Sequence, residues 1–600
     1  MRRAAVPPSN PIVYRVAMPA PASHEYEVEM RVPALPGRDE VEIVFPAWAP
    51  GSYMIRDFVR HVSGLRVTDD RGRGLPDGSV ARVDKQRWRI ATGGRPFRVQ
   101  YRVFAFEATV RTSFLDDSHA YWNGTSLFFF VDGQQSRPCR VEVALPNRAW
   151  RITTALPAVR GRRNTFAAAH FDELCDSPFE IGAHLVRTFA VGRTRFELAL
   201  YGRTNADVAR LVEILRRVAA ATGRIFGGFP FTRYVFIVHA LPVGSGGLEH
   251  GASVTMDIAG LSFDDENGYV RFADLAAHEF FHAWNVKRIH DAALGPFDYA
   301  RENYTRLLWL FEGCTDYLAH VIILRARVTT VKQFLKMIAD DWPKYATRPG
   351  RNEFSLEDLS FDAWVRQYKP SENFVNRGAS YYEKGFWTAM ALDIELRVAS
   401  AGQAGLTEMF RTLWEDFGRA GRAISDADVR AAAAEIAGKP MDRFFDRYVR
   451  GTDELSLPEY LQRAGVSVDA RPDWDESTRA AADRDPVRSA RARAWAGLAL
   501  APDKTTIRNV VPGSPAWKAG LTFSDEIVAV AGLRVNPTTL PKRIADHVPG
   551  QRVAVTFFRR DELRTVEVTL AENPERRLTV ALDPDAGPRA KAVRTGWIGA

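Results

Sequence analysis

Along the first 185 residues the apolar positions alternate with polar ones. Tyr26, Val28, Met30 and Val32 interleave with Glu25, Glu27, Glu29 and Arg31, the two-residue period of a strand with one buried face. Val41-Glu42-Ile43-Val44-Phe45 continues the pattern, and turn signals such as Pro50-Gly51-Ser52 and Asp69-Asp70-Arg71-Gly72 punctuate it. Residues 1–185 are therefore expected to form an N-terminal β-rich domain resembling a sandwich. Phe196, Leu198 and Leu200 give one more alternating strand before the period lengthens. Leu211, Ile214, Leu215 and Val218 fall at i, i+3, i+4 and i+7, which predicts an amphipathic helix over 206–222. Helical patterns then dominate to residue 466, with runs at 271–289, 302–325, 383–400 and 405–418. Residues 467–489 are polar and charged and contain Pro472 and Pro486, as a linker would. Short strands and Gly/Pro turns return over 490–585, and 586–600 reads as a tail. The expected class is multidomain α+β.

Composition narrows the field. A chain of 600 residues is too long for one domain. With 46% hydrophobic and 26% charged residues it matches soluble globular proteins, not disordered or fibrous ones. No apolar run reaches the roughly 18 residues of a membrane span, so no integral membrane segment is expected. Lys+Arg exceed Asp+Glu by 81 to 73, and no dense basic block occurs, which argues against a nucleic-acid partner. The three cysteines, Cys139, Cys175 and Cys314, are too few and scattered for a disulfide framework or a thiolate metal cluster. The opening residues Met1-Arg2-Arg3-Ala4-Ala5-Val6 are basic without an apolar stretch behind them, so no signal peptide is read. Cytoplasmic localisation is the expectation, with the periplasm as the alternative if a leader was removed.

The most informative segment is His278-Glu279-Phe280-Phe281-His282. A His-Glu-x-x-His match is expected by chance only about 0.01–0.02 times in such a chain. On a helix, positions i and i+4 share a face, so both imidazoles reach one cation. Glu279 lies one step round, where it faces a bound water without being a ligand. A catalytic zinc needs a third protein ligand and an open fourth position. Asn285 and Arg288 stand where one zinc-peptidase pattern has Gly and His, so that pattern fails, and His290 is off its spacing. Glu312 is the better candidate, because it follows the apolar stretch Leu307-Leu308-Trp309-Leu310-Phe311, where a carboxylate needs a partner. Asp316, one turn later on the same face, could accept the second ring N–H of a ligand histidine.

The run from His278 through Ile289, followed by Glu312-Gly313-Cys314-Thr315-Asp316-Tyr317, resembles the glycyl aminopeptidase family of gluzincin zinc metallopeptidases. Pro46-Ala47-Trp48-Ala49-Pro50-Gly51-Ser52-Tyr53 with Arg56-Asp57-Phe58 adds to the likeness. The resemblance implies a thermolysin-like, mainly α catalytic domain over 186–466 and one Zn2+ per chain, held by His278, His282 and Glu312. It also implies hydrolysis of the N-terminal peptide bond of free-amine peptides, with preference for Gly and Ala. Glu279 is the expected general base. Tyr381-Tyr382-Glu383-Lys384-Gly385 resembles the segment supplying an oxyanion donor in related aminopeptidases, which points to Tyr382, with Tyr381 as the other register. Gly246-Gly247-Leu248-Glu249-His250 resembles their Gly-x-Met-Glu-Asn motif, with Leu248 and His250 as departures. Its glycines admit a substrate backbone as an added strand, Glu249 offers charge to the amine, and His250 could line the first subsite.

Residues 490–585 resemble a PDZ domain. Trp495-Ala496-Gly497-Leu498 matches the loop whose backbone N–H groups bind a terminal carboxylate, and Val511-Pro512-Gly513-Ser514-Pro515-Ala516, Ala519-Gly520-Leu521 and Asp525-Glu526-Ile527-Val528 follow in the usual order. Ser524 departs from the usual Gly. A peptide ligand of this groove is the implied partner. Two other functions stay open on the sequence: a zinc endopeptidase, and a non-catalytic adaptor that binds peptides through the PDZ domain.

Overall fold

Alternation in the N-terminal region becomes two sheets around one core. The larger has the strand order Thr165–Ala168, Cys139–Ala144, Ile12–Ala17, Glu25–Val32, Phe97–Phe104 and Val62–Asp69. The smaller runs Phe130–Val131, Glu40–Val44, Arg87–Ala91 and Val80–Arg82. Tyr26, Val28, Met30 and Val32 all turn inward, as their period requires, and meet Ile43, Phe45 and Ile90 in a shared apolar cluster. This is a computed structural model, and it describes residues 10–472 and 493–600. The chain divides into two compact units. One takes in residues through Thr305 with Leu318–Thr329 and Thr407–Ala432; the other holds Arg306–Tyr317, Thr330–Leu406 and Ala433–Ala600.

The first unit continues with a five-stranded sheet in the order Leu185–Val191, Thr194–Gly202, Arg233–Leu241, Ser253–Ala259 and Ser245–Glu249. Its central strand reads Tyr-Val-Phe-Ile-Val and is buried on both faces, which the continuous apolar run demands. The predicted helix at 206–222 forms as Val208–Phe226, capped by Asp207 at its start and by Gly227, with φ +71°, at its end. Ser245–Glu249 is the last strand, paired on one side only.

A buried charge cluster joins this sheet to its neighbour, ordered Arg151–Thr154, Phe179–Gly182, His119–Trp122 and Ser113–Leu115. Glu180 has no solvent exposure. His119 Nε2 lies 2.9 Å from Glu180 Oε1 and His239 Nε2 lies 3.0 Å from Oε2. His239 Nδ1 in turn meets Asp257 Oδ1 at 3.0 Å. Burial alone would raise the Glu180 carboxyl, but the His119 and His239 partners bring it down to about 2. Burial would lower His239, yet Asp257 and Glu180 push it up to about 9. The carboxylate thus accepts from two strands of different sheets.

In the second unit the helix Tyr381–Ala399 is the central support. The turn Trp309–Gly313 packs against it backbone to backbone, since a Cβ on Gly313 would stand 2.6 Å from Gly385 Cα. The helical run expected from 302 starts later, with a π turn at Trp309–Gly313 that leads into the helix Cys314–Arg325. Residues 586–600 are not a loose tail. Pro588–Ile598 is a helix whose Val593, Trp597 and Ile598 are buried, and Trp597 Nε1 donates to the Tyr317 hydroxyl at 2.7 Å. That hydroxyl donates to Asp393 at 2.6 Å. The expected linker also begins as structure: Val466–Pro472 pairs with Arg576–Leu582, because Val466 and Val468 supply strand positions ahead of the polar stretch. Residues 473–489 of that linker lie outside the described residues. Among the described residues no helix is long and apolar enough to cross a membrane.

Glu180→Gln removes the buried carboxylate that faces His119 and His239 and leaves His239 with Asp257 alone. Loss of one partner from a buried ion pair costs about 3–5 kcal/mol, so the variant is expected to melt well below the wild type in a thermal unfolding scan. Equal midpoints would show that the cluster does not hold the sheets together.

Candidate active site

The helix that carries His278 and Glu279 begins at a cap the periodicity does not reveal. Asp265 accepts from the N–H groups of Asn267 and Gly268, so the helix is Glu266–Phe281, displaced toward the N-terminus from the expected 271–289. His282 follows the last helical residue but keeps helical backbone, φ −60° and ψ −19°, so its relation to His278 survives. The two Nε2 atoms lie 2.9 Å apart. The Asn285 carbonyl lies 2.6 Å from His282 Nδ1 and can only accept, so Nδ1 carries the proton and the Nε2 of the neutral ring presents a lone pair. Two imidazole nitrogens brought this close on one helix face suit a single divalent cation.

Glu249, Glu279 and His282 converge in the first unit. Their ligand atoms all lie within 4.8 Å of one another, and all three residues are buried. The edge strand makes this possible. Gly247 has no side chain where it passes Glu279, and a Cβ there would collide with the Glu279 carboxyl. On the other side, Gly51 covers Glu249: a Cβ on Gly51 would stand 2.5 Å from Glu249 Oε1 and 2.7 Å from Leu248 Cδ1. Gly51 sits at φ +87°, a conformation glycine adopts without strain. Sequence reading took Pro50-Gly51-Ser52 as a turn and missed that this turn closes over the site.

The loop after Glu249 is held by Asp176. His250 Nδ1 lies 3.2 Å from its carboxylate, the Gly251 N–H donates to it at 2.7 Å, and Lys287 Nζ pairs with it at 2.6 Å. Burial would raise Asp176, but the Lys287 charge and His250 bring it to about 2. His250 Nδ1 is thus engaged in holding the loop. Lys287 also feels the Glu249 charge, but its short contact is with Asp176.

The second unit carries the other predicted residues. Glu312 is 2% exposed and lies within the π turn, a geometry that inserts an extra residue and re-aims the side chains around it. Asp316 is half-buried in the first turn of Cys314–Arg325. Ser380 caps the helix Tyr381–Ala399 by accepting from the Tyr382 N–H. Desolvation, then the Glu312 charge and the neighbouring Tyr368, hold the Tyr382 hydroxyl well above its ordinary pKa. Tyr381 is buried, and its ring stacks on Tyr382 at 4.7 Å.

In the C-terminal region, Trp495 ends one short strand and Leu498 begins another, Leu498–Leu500. Gly497 makes the turn at φ +78° against Ser514. Leu498–Leu500 pairs with Ile507–Val510 along one edge.

Three family descriptions match the chain: the peptidase M61 N-terminal domain over residues 13–183, the M61 glycyl aminopeptidase over 271–387 and the PDZ domain over 482–570. An aminopeptidase N family protein from Idiomarina loihiensis is 29% identical with a TM-score of 0.88, and the likeness covers 98% of this chain and 100% of that one. An M1 zinc metallopeptidase from Deinococcus radiodurans is 15% identical with a TM-score of 0.46, covering 75% of this chain and 96% of that one. A Brucella suis protein described as a probable periplasmic serine endoprotease, DegP-like, is 36% identical over 81 residues. That match spans 13% of this chain and only 16% of the relative's length. In order along the chain, then, lie an M61 N-terminal domain, an M61 glycyl aminopeptidase domain and a PDZ domain, the domains of a metallopeptidase.

Proposed function

We propose that this peptidase is a zinc-dependent aminopeptidase that releases small N-terminal residues, Gly and Ala, from peptides. The observation that carries the reading is the meeting of Glu249, Glu279 and His282 beside a glycine-lined edge strand. An endopeptidase has no need of a second buried carboxylate at that point, whereas a free ammonium does. His278 Nε2, His282 Nε2 and the Glu312 carboxylate would hold one zinc per chain. When bound, it supplies a Lewis acid that activates water and polarises the scissile carbonyl. Asp316 would accept the second ring N–H of His278, since Asn285 already takes that of His282.

The chain's own groups divide the remaining work. Glu249 binds the substrate amine, and the edge strand pairs with the peptide backbone. Glu279 takes the proton of the attacking water on its carboxylate and passes it to the leaving amine. Tyr382, kept protonated by its raised pKa, donates to the oxygen that gains charge. Gly51 and Leu248 wall Glu249 closely, which supports a small first residue. The PDZ loop Trp495–Leu498 would take the carboxyl end of a peptide laid along Leu498–Leu500.

Glu279→Gln is expected to keep its zinc and lose at least about a thousandfold in turnover, measured with metal analysis beside a glycyl reporter assay. Wild-type activity in that variant contradicts the mechanism. The wild type should cleave free-amine peptides and leave their acetylated forms intact; equal cleavage removes Glu249 as the anchor. Gly247→Ala forces Glu279 from its place and should cost about a hundredfold in kcat/KM with an unchanged circular dichroism spectrum. Unimpaired turnover would mean that Glu279 works elsewhere.

A further inference from the structure

The two glycines of the edge strand face opposite ways. Gly247 faces Glu279, while a Cβ on Gly246 would stand 3.9 Å from Nη2 of Arg111. Arg111 comes from the segment between the strands Phe97–Phe104 and Ser113–Leu115. It is half-buried, and its Nε is fully buried with no hydrogen-bond partner. Among the described residues no carboxylate pairs with it. The nearest acidic residue along its segment, Glu107, is engaged by Arg60 at 2.7 Å.

The backbone that carries this guanidinium is held in place. The Arg111 backbone N–H donates to Thr109 Oγ1 at 3.2 Å, and the Thr112 hydroxyl donates to the Glu107 carbonyl at 2.6 Å. The Tyr121 hydroxyl lies 3.0 Å from both the Val110 carbonyl and Thr255 Oγ1. Thr255 belongs to the strand that pairs with Ser245–Glu249, opposite Leu248. The segment carrying Arg111 is thereby tied to the same sheet that presents the edge strand. Partial desolvation of a cation without a counter-charge is costly, so the arrangement favours an anion at Gly246.

Substrate direction identifies that anion. With its amine at Glu249 and its scissile bond at Glu279 beside Gly247, a peptide runs antiparallel to the edge strand, toward Ser245. Each extended residue advances about 3.3 Å, so the second or third residue reaches Gly246. We propose that Arg111 binds the α-carboxylate of short peptides there, which makes dipeptides and tripeptides the substrate class. The proposal rests on the aminopeptidase reading above and specifies the far end of the same site. A planar, always charged guanidinium suits a carboxylate through paired N–H donors.

The test uses the full chain with glycylglycine, triglycine, the C-terminal amide of each, and a glycyl anilide that has no carboxylate. The wild type should favour the acids over their amides at least about tenfold in kcat/KM, chiefly through KM. Arg111→Gln should lower the acids at least about tenfold more than it lowers the amides, and Arg111→Lys should recover part of the preference. Equal treatment of acids and amides by the wild type overturns the proposal. So does an Arg111→Gln variant that loses both to the same degree. A further arm compares the glycyl anilide with its N-acetylated form: if the wild type hydrolyses both equally, the aminopeptidase reading fails and this proposal fails with it.

Discussion

The active centre depends on how closely bare backbone approaches two carboxylates. Glu279 stands against Gly247 and Glu249 stands beneath Gly51, each at a distance that no Cβ tolerates. Large side chains at 247 or 51 would push these acids away from His282. Small residues therefore do two things at once. They let Glu279 and Glu249, the proposed general base and amine anchor, sit within one cluster, and they leave the outer edge of the strand bare, as the proposed pairing with a peptide requires. The buried Glu180 cluster serves that geometry from behind, because Asp257 pairs in register with Gly246.

The second unit repeats the device with different partners. Gly313 and Gly385 meet backbone to backbone, which brings the π turn carrying Glu312 against the helix that carries Tyr382. Burial first, and then the Glu312 charge, hold the Tyr382 hydroxyl well above its ordinary pKa. The proposed donor Tyr382 and the Glu312 carboxylate are thus set on adjoining elements of the fold, an arrangement that suits preorganised catalysis. The C-terminal helix adds rigidity, since Trp597 closes the chain of hydrogen bonds through Tyr317 to Asp393.

Much of this was readable from residue order, and the rest was not, for physical reasons. The inward set Tyr26, Val28, Met30 and Val32 is local: a strand shows its buried face every second residue. The histidine pair is local too, because one helical turn brings the two rings together. Element ends were less visible. Asp265 begins the catalytic helix by capping, a side-chain effect that hydrophobic periodicity does not register. The helix Pro588–Ile598 was missed because it has only Val593, Trp597 and Ile598 to bury and polar residues elsewhere. Contacts across long sequence separations were the least legible. Nothing at position 51 announces that its glycine will lie on Glu249, and nothing at 119, 180, 239 and 257 has a spacing that suggests one charge cluster. Arg111 was invisible for the same reason, as an arginine in a chain with 81 basic residues gains meaning only from what surrounds it.

The central claim is that His278, His282 and Glu312 share one zinc. It is tested most directly by a crystal structure of the zinc-loaded full chain, with anomalous diffraction recorded on both sides of the zinc absorption edge. The account predicts a single strong anomalous peak about 2.0–2.2 Å from both histidine Nε2 atoms and from a Glu312 oxygen. A loaded crystal with no peak at the histidine pair, or a peak there that Glu312 does not touch, contradicts it.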